Sequence, residues 1–542
     1  MKHFFFFLYI FFPSLLFAQT YTHADSLHGG LRPERTAFDV YYYDLQVEVD
    51  IPNKSIKGTV GIYFDVVDAT VHTIQIDLFK NLQVNTIVDA NGNPLIYRRD
   101  ENAMFIQLPA TTQHQKTKMT ITYEGIPIAA KRPPWDGGFI WRKDKNGHPW
   151  VAVACQGIGA SLWWPCKDTQ SDRADSVSIA ITVPADLVAV SNGNQRSVEL
   201  HGSQATYHWF VSYPINNYNI SINIGNYVHF GEPYKGIETT YNLDYYVLDY
   251  NLDKAKEHFK QVVPMLDVYE KKLGPYPFPR DGYALIEVPY LGMEHQSGIA
   301  YGNRYLKGYE GVERSGIDLG FDFIIIHETG HEYWGNSVAA QDIADMWIHE
   351  GFCTYTEALY VEEMYGPDTA LAYCNAWKLL VDNDIPIIGD YGVNNEGSGD
   401  MYNKGALMLH TLRWLVNNDK KWLTMLLHIQ KNYRWKIVTG DELIRYMNKQ
   451  LGKDYTWLFD QYLKNASPPV LHYTLEEKAN DLEVTIQWTE VSSDFALPVT
   501  IRLSADKCKT YTITSQPQKI LLKDMKKGDF KVDEQHAYFL IR

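Results

Sequence analysis

Alternating apolar and polar positions dominate the chain from residue 21 to about 230. "FDVYYYDLQVEVDIPNKSIKGTVGIYFDVV" carries two β-branched, aromatic-rich stretches, broken by a turn at Pro52-Asn53. "VHTIQIDLF", "KMTITYEGI", "SVSIAITVPADLVAV" and "ATYHWFVS" repeat the pattern between Asn, Gly and Pro turns. These stretches predict short strands in a large antiparallel sheet assembly. From about 250 the period changes. "NLDKAKEHFKQVVPMLDVYEKKLG" has helical spacing and ends on Gly274. Helical spacing then dominates to about 465, over 321–335, 343–364, 402–416 and 441–448. The interval 382–401, rich in Gly, Asn and Asp, predicts a loop. Ser467-Pro468-Pro469 ends the helical region, and "VLHYTLEEKANDLEVTIQWTE" returns to alternation. The expected fold is therefore multidomain α+β. An N-terminal antiparallel β-sheet domain covers 19–232, a mostly helical domain 233–465, and a small β-sandwich 470–542.

The first residues break both patterns. Lys2 leads into an unbroken apolar run that ends near Ala18, followed at once by polar residues. This reads as a signal peptide over 1–18, with export to the periplasm or outside the cell. No later run reaches the ~20 apolar residues of a membrane span, so no stable anchor is expected after cleavage. Five cysteines, an odd number, fit no disulfide scaffold and no zinc ribbon. Cys155, Cys166, Cys353, Cys374 and Cys508 read mainly as small buried apolar residues. A formal net charge of -15 argues against nucleic acid as a partner.

The candidate chemistry lies in "FDFIIIHETGHEYWGN", residues 321–336. Residues four apart on a helix share a face, about 6 Å apart. His327 and His331 can thus reach one metal ion at about 2 Å. Glu328 sits beside them, placed to take a proton from water without ligating the metal. Two imidazoles leave a catalytic zinc one protein ligand short. The following amphipathic segment, "ADMWIHEGFCTYTEALYVEEMYG", supplies Glu350, nineteen residues after His331. A return loop of about ten residues lets it run back beside the first helix. His349 is a rival ligand, but points about 100° away from its neighbour. The set His327, His331 and Glu350 predicts one Zn2+ per chain.

These residues resemble the aminopeptidase-N-like zinc metallopeptidases, the family that includes the leukotriene epoxide hydrolase. The resemblance rests on "HETGHEYWGN", "MWIHEGF", "YLGMEHQSGIAYG", "MYNKGALML" and "ACQGIGASLWWPCKDTQSDRAD", in the family's order over about 155–410. It implies a thermolysin-like catalytic domain at 233–465 in an exported bacterial member. It makes His327, His331 and Glu350 the zinc ligands and Glu328 the general base. Glu294 becomes the grip on a substrate's free α-ammonium, and Tyr402 the hydroxyl that stabilises the oxyanion. Gln156, Gly292 and Met293 become substrate-groove residues. Asn336 and Glu357 are candidates for supporting roles, and Arg413 for a contact with substrate. Two departures stand out. Leu291 replaces the first glycine of the family's "GAMEN"-type stretch, and His295 its asparagine. About 75 residues follow Pro468 and read as β, so the large helical cap of many relatives is not expected, and the cleft should be more open.

The reading is an exported zinc aminopeptidase acting on peptides with a free N-terminus. Aromatic residues near 156–164 suggest a pocket for neutral first side chains. Alternatives are a thermolysin-like endopeptidase, a lipid-epoxide hydrolase, and a binding protein that keeps zinc as structure. The oligomeric state is not encoded in any visible pattern.

Overall fold

The computed structural model describes residues 21–313, 316–504 and 507–542. The expected signal peptide lies outside the described residues. The N-terminal domain is built on a seven-stranded sheet. Its strands run in the order Asn194–His201, Gln204–Val211, Ser176–Pro184, Phe38–Asp50, Ser55–Val66, Lys116–Gly125 and Leu82–Asp89. Every neighbouring pair is antiparallel except Phe38–Asp50 with Ser176–Pro184. Strict alternation in Ser176–Pro184 buries Val177, Ile179, Ile181 and Val183. A four-stranded sheet, Val188–Val190, Asn223–Gly225, Pro149–Ala154 and Gly138–Lys143, shares this apolar core.

The strand Tyr227–Lys235 crosses the boundary expected at 232. It pairs with Thr240–Leu248, which continues through Tyr283–Glu287 and Ile299–Tyr301 to the short strand Gly292–Met293. This five-stranded sheet carries the "GMEH" segment. Tyr290, Met293 and Ala300 pack into the N-terminal domain's core, while Leu285 and Ile299 face the helical core. The segment is therefore held at the seam between two domains. Helices follow to Lys464, among them Phe323–Gly330, Trp347–Tyr365 and Asn403–Val416. Residues 470–541 form two packed sheets of four and three strands. Trp488, Phe495 and Leu471 join that sandwich to the helical core. Among the described residues no helix is long and apolar enough to cross a membrane. All five cysteines are free; four are buried and Cys508 is exposed.

Candidate metal centre and peptide cleft

The helix Phe323–Gly330 starts at a heavily bonded cap. Asp322 accepts from the Ile324 amide at 2.9 Å, from Tyr301 Oη at 2.7 Å and from Asn303 Nδ2 at 2.8 Å. It fixes the helix rotation, and so the direction of His327 one turn on. The helix ends at Gly330, with His331 as its C-cap in right-handed conformation. Both imidazoles therefore stay on one face. The second helix, Trp347–Tyr365, returns alongside and presents Glu350 in its first turn. Glu350 Oε2 lies 3.3 Å from His331 Nε2 and 3.6 Å from His327 Nε2, and the two Nε2 atoms are 3.3 Å apart. Four-coordinate zinc with bonds of about 2.0–2.2 Å has tetrahedral edges of about 3.3–3.6 Å. Glu350 Oε2 is also buried with no hydrogen-bond donor. A divalent cation suits these three atoms.

Each histidine is braced from behind. His327 Nδ1 is 2.7 Å from Glu357 Oε1, whose other oxygen accepts from Tyr373 Oη at 2.7 Å. His331 Nδ1 meets the Trp334 carbonyl at 3.0 Å. Both bonds leave Nε2 free for the metal. Cys353 also lies close to the two histidines. Its thiol donates to the His327 carbonyl at 2.8 Å, a bond that holds the helix backbone. Burial opposes charge at Glu350, but the two imidazoles outweigh it and hold the carboxyl below its usual range. Burial raises the Glu328 carboxyl, with His327 and His331 opposing. Residues Glu294, Glu328 and His331 bring their polar atoms within 4.8 Å of one another.

Residues 40–218 match the Peptidase M1 N-terminal domain, and residues 257–462 the Peptidase family M1 domain. The chain belongs to peptidase family M1. Leukotriene A-4 hydrolase of Xenopus laevis is 20% identical over 443 residues, covering 77% of this chain and 68% of that one. Aminopeptidase M1-D of rice is 21% identical, covering 64% of this chain and 41% of its own. Endoplasmic reticulum aminopeptidase 1 of mouse is 23% identical, covering 58% and 35%. The chain thus spans about two thirds of the first of these relatives and less than half of the other two. An M1 zinc metallopeptidase of Deinococcus radiodurans, solved as a glutamate-to-alanine variant bound to Tyr-Ser-Ala substrate, has the same fold. It aligns with a TM-score of 0.67 at 21% identity, over 82% of this chain and 98% of that one.

In this M1 chain the remaining site residues converge on one open cleft of about 1020 Å³. Gln156, Gly292, Met293, Glu294, Glu328 and Tyr402 all line it with the three ligands. Gln156 Nε2 donates to Glu294 Oε1 at 2.5 Å, and Tyr218 Oη to the same oxygen at 3.2 Å. Burial pushes the Glu294 carboxyl up to about 7, with the His331 imidazole pulling the other way. A Cβ on Gly292 would lie 2.7 Å from Ile324 Cγ2 and 2.9 Å from Glu328 Oε1, so any side chain there displaces Ile324 or Glu328. The Tyr402 ring stacks on His327, centroids 5.9 Å apart, and burial keeps its hydroxyl protonated.

Several neighbours take other places. His349 Nε2 accepts from the Ala340 amide at 2.9 Å and points away from the ligand set. Arg413 forks onto Glu362 and also meets Asp419, and it does not line the cleft. Trp163 and Trp164 are wholly buried in the N-terminal core, so they line no pocket for a first side chain. Asn336 Nδ2 donates to the Glu294 carbonyl at 2.8 Å and to Glu332, while its oxygen accepts from Asn219. At the position of the family's asparagine, His295 is buried with both ring nitrogens unpartnered, and burial lowers it to about 3. Tyr218, Tyr373 and Glu396 stand at the site with no signal in the sequence to mark them. The first two are tyrosines among many, and Glu396 lies in a stretch legible only as loop.

Proposed function

We propose that this protein is an exported zinc aminopeptidase that removes the first residue of peptides. One observation carries the reading: a second carboxylate, Glu294, is braced beside the metal set by Gln156 and Tyr218. A fixed anion at that distance pairs with a charged chain end and leaves one residue between the ammonium and the metal. Zinc held by His327, His331 and Glu350 would polarise the scissile carbonyl and acidify the attacking water. Glu328 accepts the water's proton and returns it to the leaving amine. Tyr402 donates its hydroxyl hydrogen to the oxygen on which negative charge develops. Gly292 keeps the wall beside Glu328 low enough for the substrate backbone to pass.

The breadth and polarity of the cleft favour peptides over a lipid epoxide, and suit substrates longer than a dipeptide. The apolar leader ending at Ala18 supports export. The test compares one aminoacyl amide with its N-acetyl twin, for the parent and for Glu294→Ala. The parent is expected to cleave only the free amine. The variant is expected to lose at least about a hundredfold in kcat/KM on it, as a buried charge pair is lost. Equal cleavage of the two substrates by the parent would remove Glu294 as the amine anchor.

A further inference from the structure

The ring of Tyr402 stacks on His327, yet among the described residues none hydrogen-bonds its hydroxyl. The place of that oxygen therefore depends on the backbone of residues 400–404, where a 3-10 turn leads into the helix Asn403–Val416. Two buried charges flank the tyrosine and pin that backbone. Asp400 accepts the amides of Asp382 and Asn383 at 2.9 and 2.8 Å. Lys404 donates to the carbonyls of Asn465 and Ala466 at 3.0 and 2.5 Å, where the helix Thr456–Lys464 gives way to the C-terminal sandwich. Lys404 is wholly buried, and no carboxylate of a described residue pairs with it. A buried ammonium that faces only carbonyl oxygens adds little to stability, because desolvation offsets its hydrogen bonds. What it adds is direction, since its donors tie one helix start to one neighbouring segment.

The sandwich holds the same backbone a second time. Tyr538, just before the last strand Leu540–Ile541, is buried. Its hydroxyl accepts from Asn383 Nδ2 at 2.8 Å, and so braces the residue whose amide sits on Asp400. Its amide donates to Thr411 Oγ1 at 3.0 Å, on the helix that starts beside Tyr402. Its carbonyl accepts from the Tyr462 hydroxyl. Lys378 Nζ adds a bond to the neighbouring Ala537 carbonyl at 3.1 Å. Every polar group of Tyr538 is thus engaged by the helical domain, and two of its three partners lie on Tyr402's own loop and helix. Among the described residues that line the cleft, none belongs to the sandwich.

We propose that the C-terminal sandwich positions the oxyanion donor, with Tyr538 and Lys404 as positioning residues that hold the backbone on either side of Tyr402. The proposal rests on Tyr402 as the oxyanion donor of the aminopeptidase reading. The sandwich then acts on turnover without touching substrate. Its effect falls on kcat and not on KM, because a hydroxyl that bonds only the charged adduct contributes in the transition state alone.

The test is a double-mutant cycle on the full zinc-loaded chain. Tyr538→Phe deletes the hydroxyl that Asn383 meets and keeps the ring. Lys404→Met deletes the ammonium and keeps most of the length. Each is expected to lower kcat on an aminoacyl amide at least about fivefold, with KM within about twofold of the parent. Affinity for a phosphinic dipeptide analogue of the tetrahedral adduct is expected to fall in step, with zinc affinity unchanged. In a Tyr402→Phe background the same two substitutions are expected to change kcat by less than about twofold. Losses that persist in full there, or an unchanged kcat in either folded single variant, overturn the proposal. If Lys404→Met does not fold, Tyr538→Phe carries the cycle by itself. Tyr402→Phe with the parent's kcat would remove the oxyanion donor itself, and the proposal with it. A fall in Tyr402→Phe beside additive losses removes only the part given to the sandwich.

Discussion

Glu357 illustrates how much of this site lies behind the ligands. Its carboxylate sits on His327 Nδ1, and Tyr373 holds its other oxygen. Glu357→Ala leaves that imidazole free to rotate, so zinc affinity is expected to fall about 10- to 100-fold. A competition titration against a chelating dye measures this, and Glu357→Gln is expected to recover part of the loss. Glu328→Gln should behave in the opposite way. Zinc content is kept, while kcat falls at least about a hundredfold, because the proton shuttle is gone and the ligand set is intact. The two variants separate metal holding from proton transfer. His327 and His331 were legible because helical spacing is local, and Glu350 because a short return loop makes its placement local too. Glu294 and Gln156 lie just past two distant strands, Gly292–Met293 and Pro149–Ala154. Resemblance pointed to them; periodicity could not. Glu396 belongs to a loop whose course is set by Tyr21, Asn394 and Asp390, and no pattern in the sequence announces those contacts.

At the scale of elements, the distance between two helices decides where Tyr402 stands. Trp347–Tyr365 and Asn403–Val416 cross at Gly351 and Gly405. A Cβ on Gly405 would lie 3.1 Å from Gly351 Cα, and one on Gly351 would lie 3.1 Å from the Met401 carbonyl. Backbone there must move by a few tenths of an ångström to admit a methyl group. Gly405→Ala is expected to destabilise the protein by about 1–2 kcal/mol through overpacking. It should also lower kcat several-fold by shifting the hydroxyl of Tyr402, with zinc affinity unchanged. Thermal unfolding, kinetics and a metal titration on one preparation check all three. The strand and helix periods marked out the three regions of the fold. They did not mark the ends of Tyr227–Lys235, because a strand alternates in the same way whichever sheet it joins. The single parallel pair, Phe38–Asp50 with Ser176–Pro184, was equally invisible, since alternation carries no strand direction.

For the whole molecule, the candidate site residues straddle a seam between domains, and the seam carries its own titrating group. Asp281, from the helical domain, accepts the Ser212 amide through both oxygens at 3.0 Å. Burial raises its carboxyl to about 6, with those hydrogen bonds opposing. The folded protein therefore binds a proton that the unfolded chain releases between about pH 4 and 6. Stability from this group falls as pH rises through that window and stays low above it, by up to about 3 kcal/mol. Asp281→Asn is expected to flatten the slope of unfolding free energy between pH 4 and 6, which denaturant titrations at several pH values measure. The central claim concerns both the metal set and the direction of attack, and one digest addresses both. A ten-residue peptide with a free amino end is incubated with the zinc-loaded protein, beside its N-acetylated copy and a chelator control, and read by mass spectrometry over time. The account predicts successive losses of single residues from the amino end, none from the acetylated copy and none after chelation. Internal fragments from the acetylated copy, or an undiminished ladder in chelator, would contradict it.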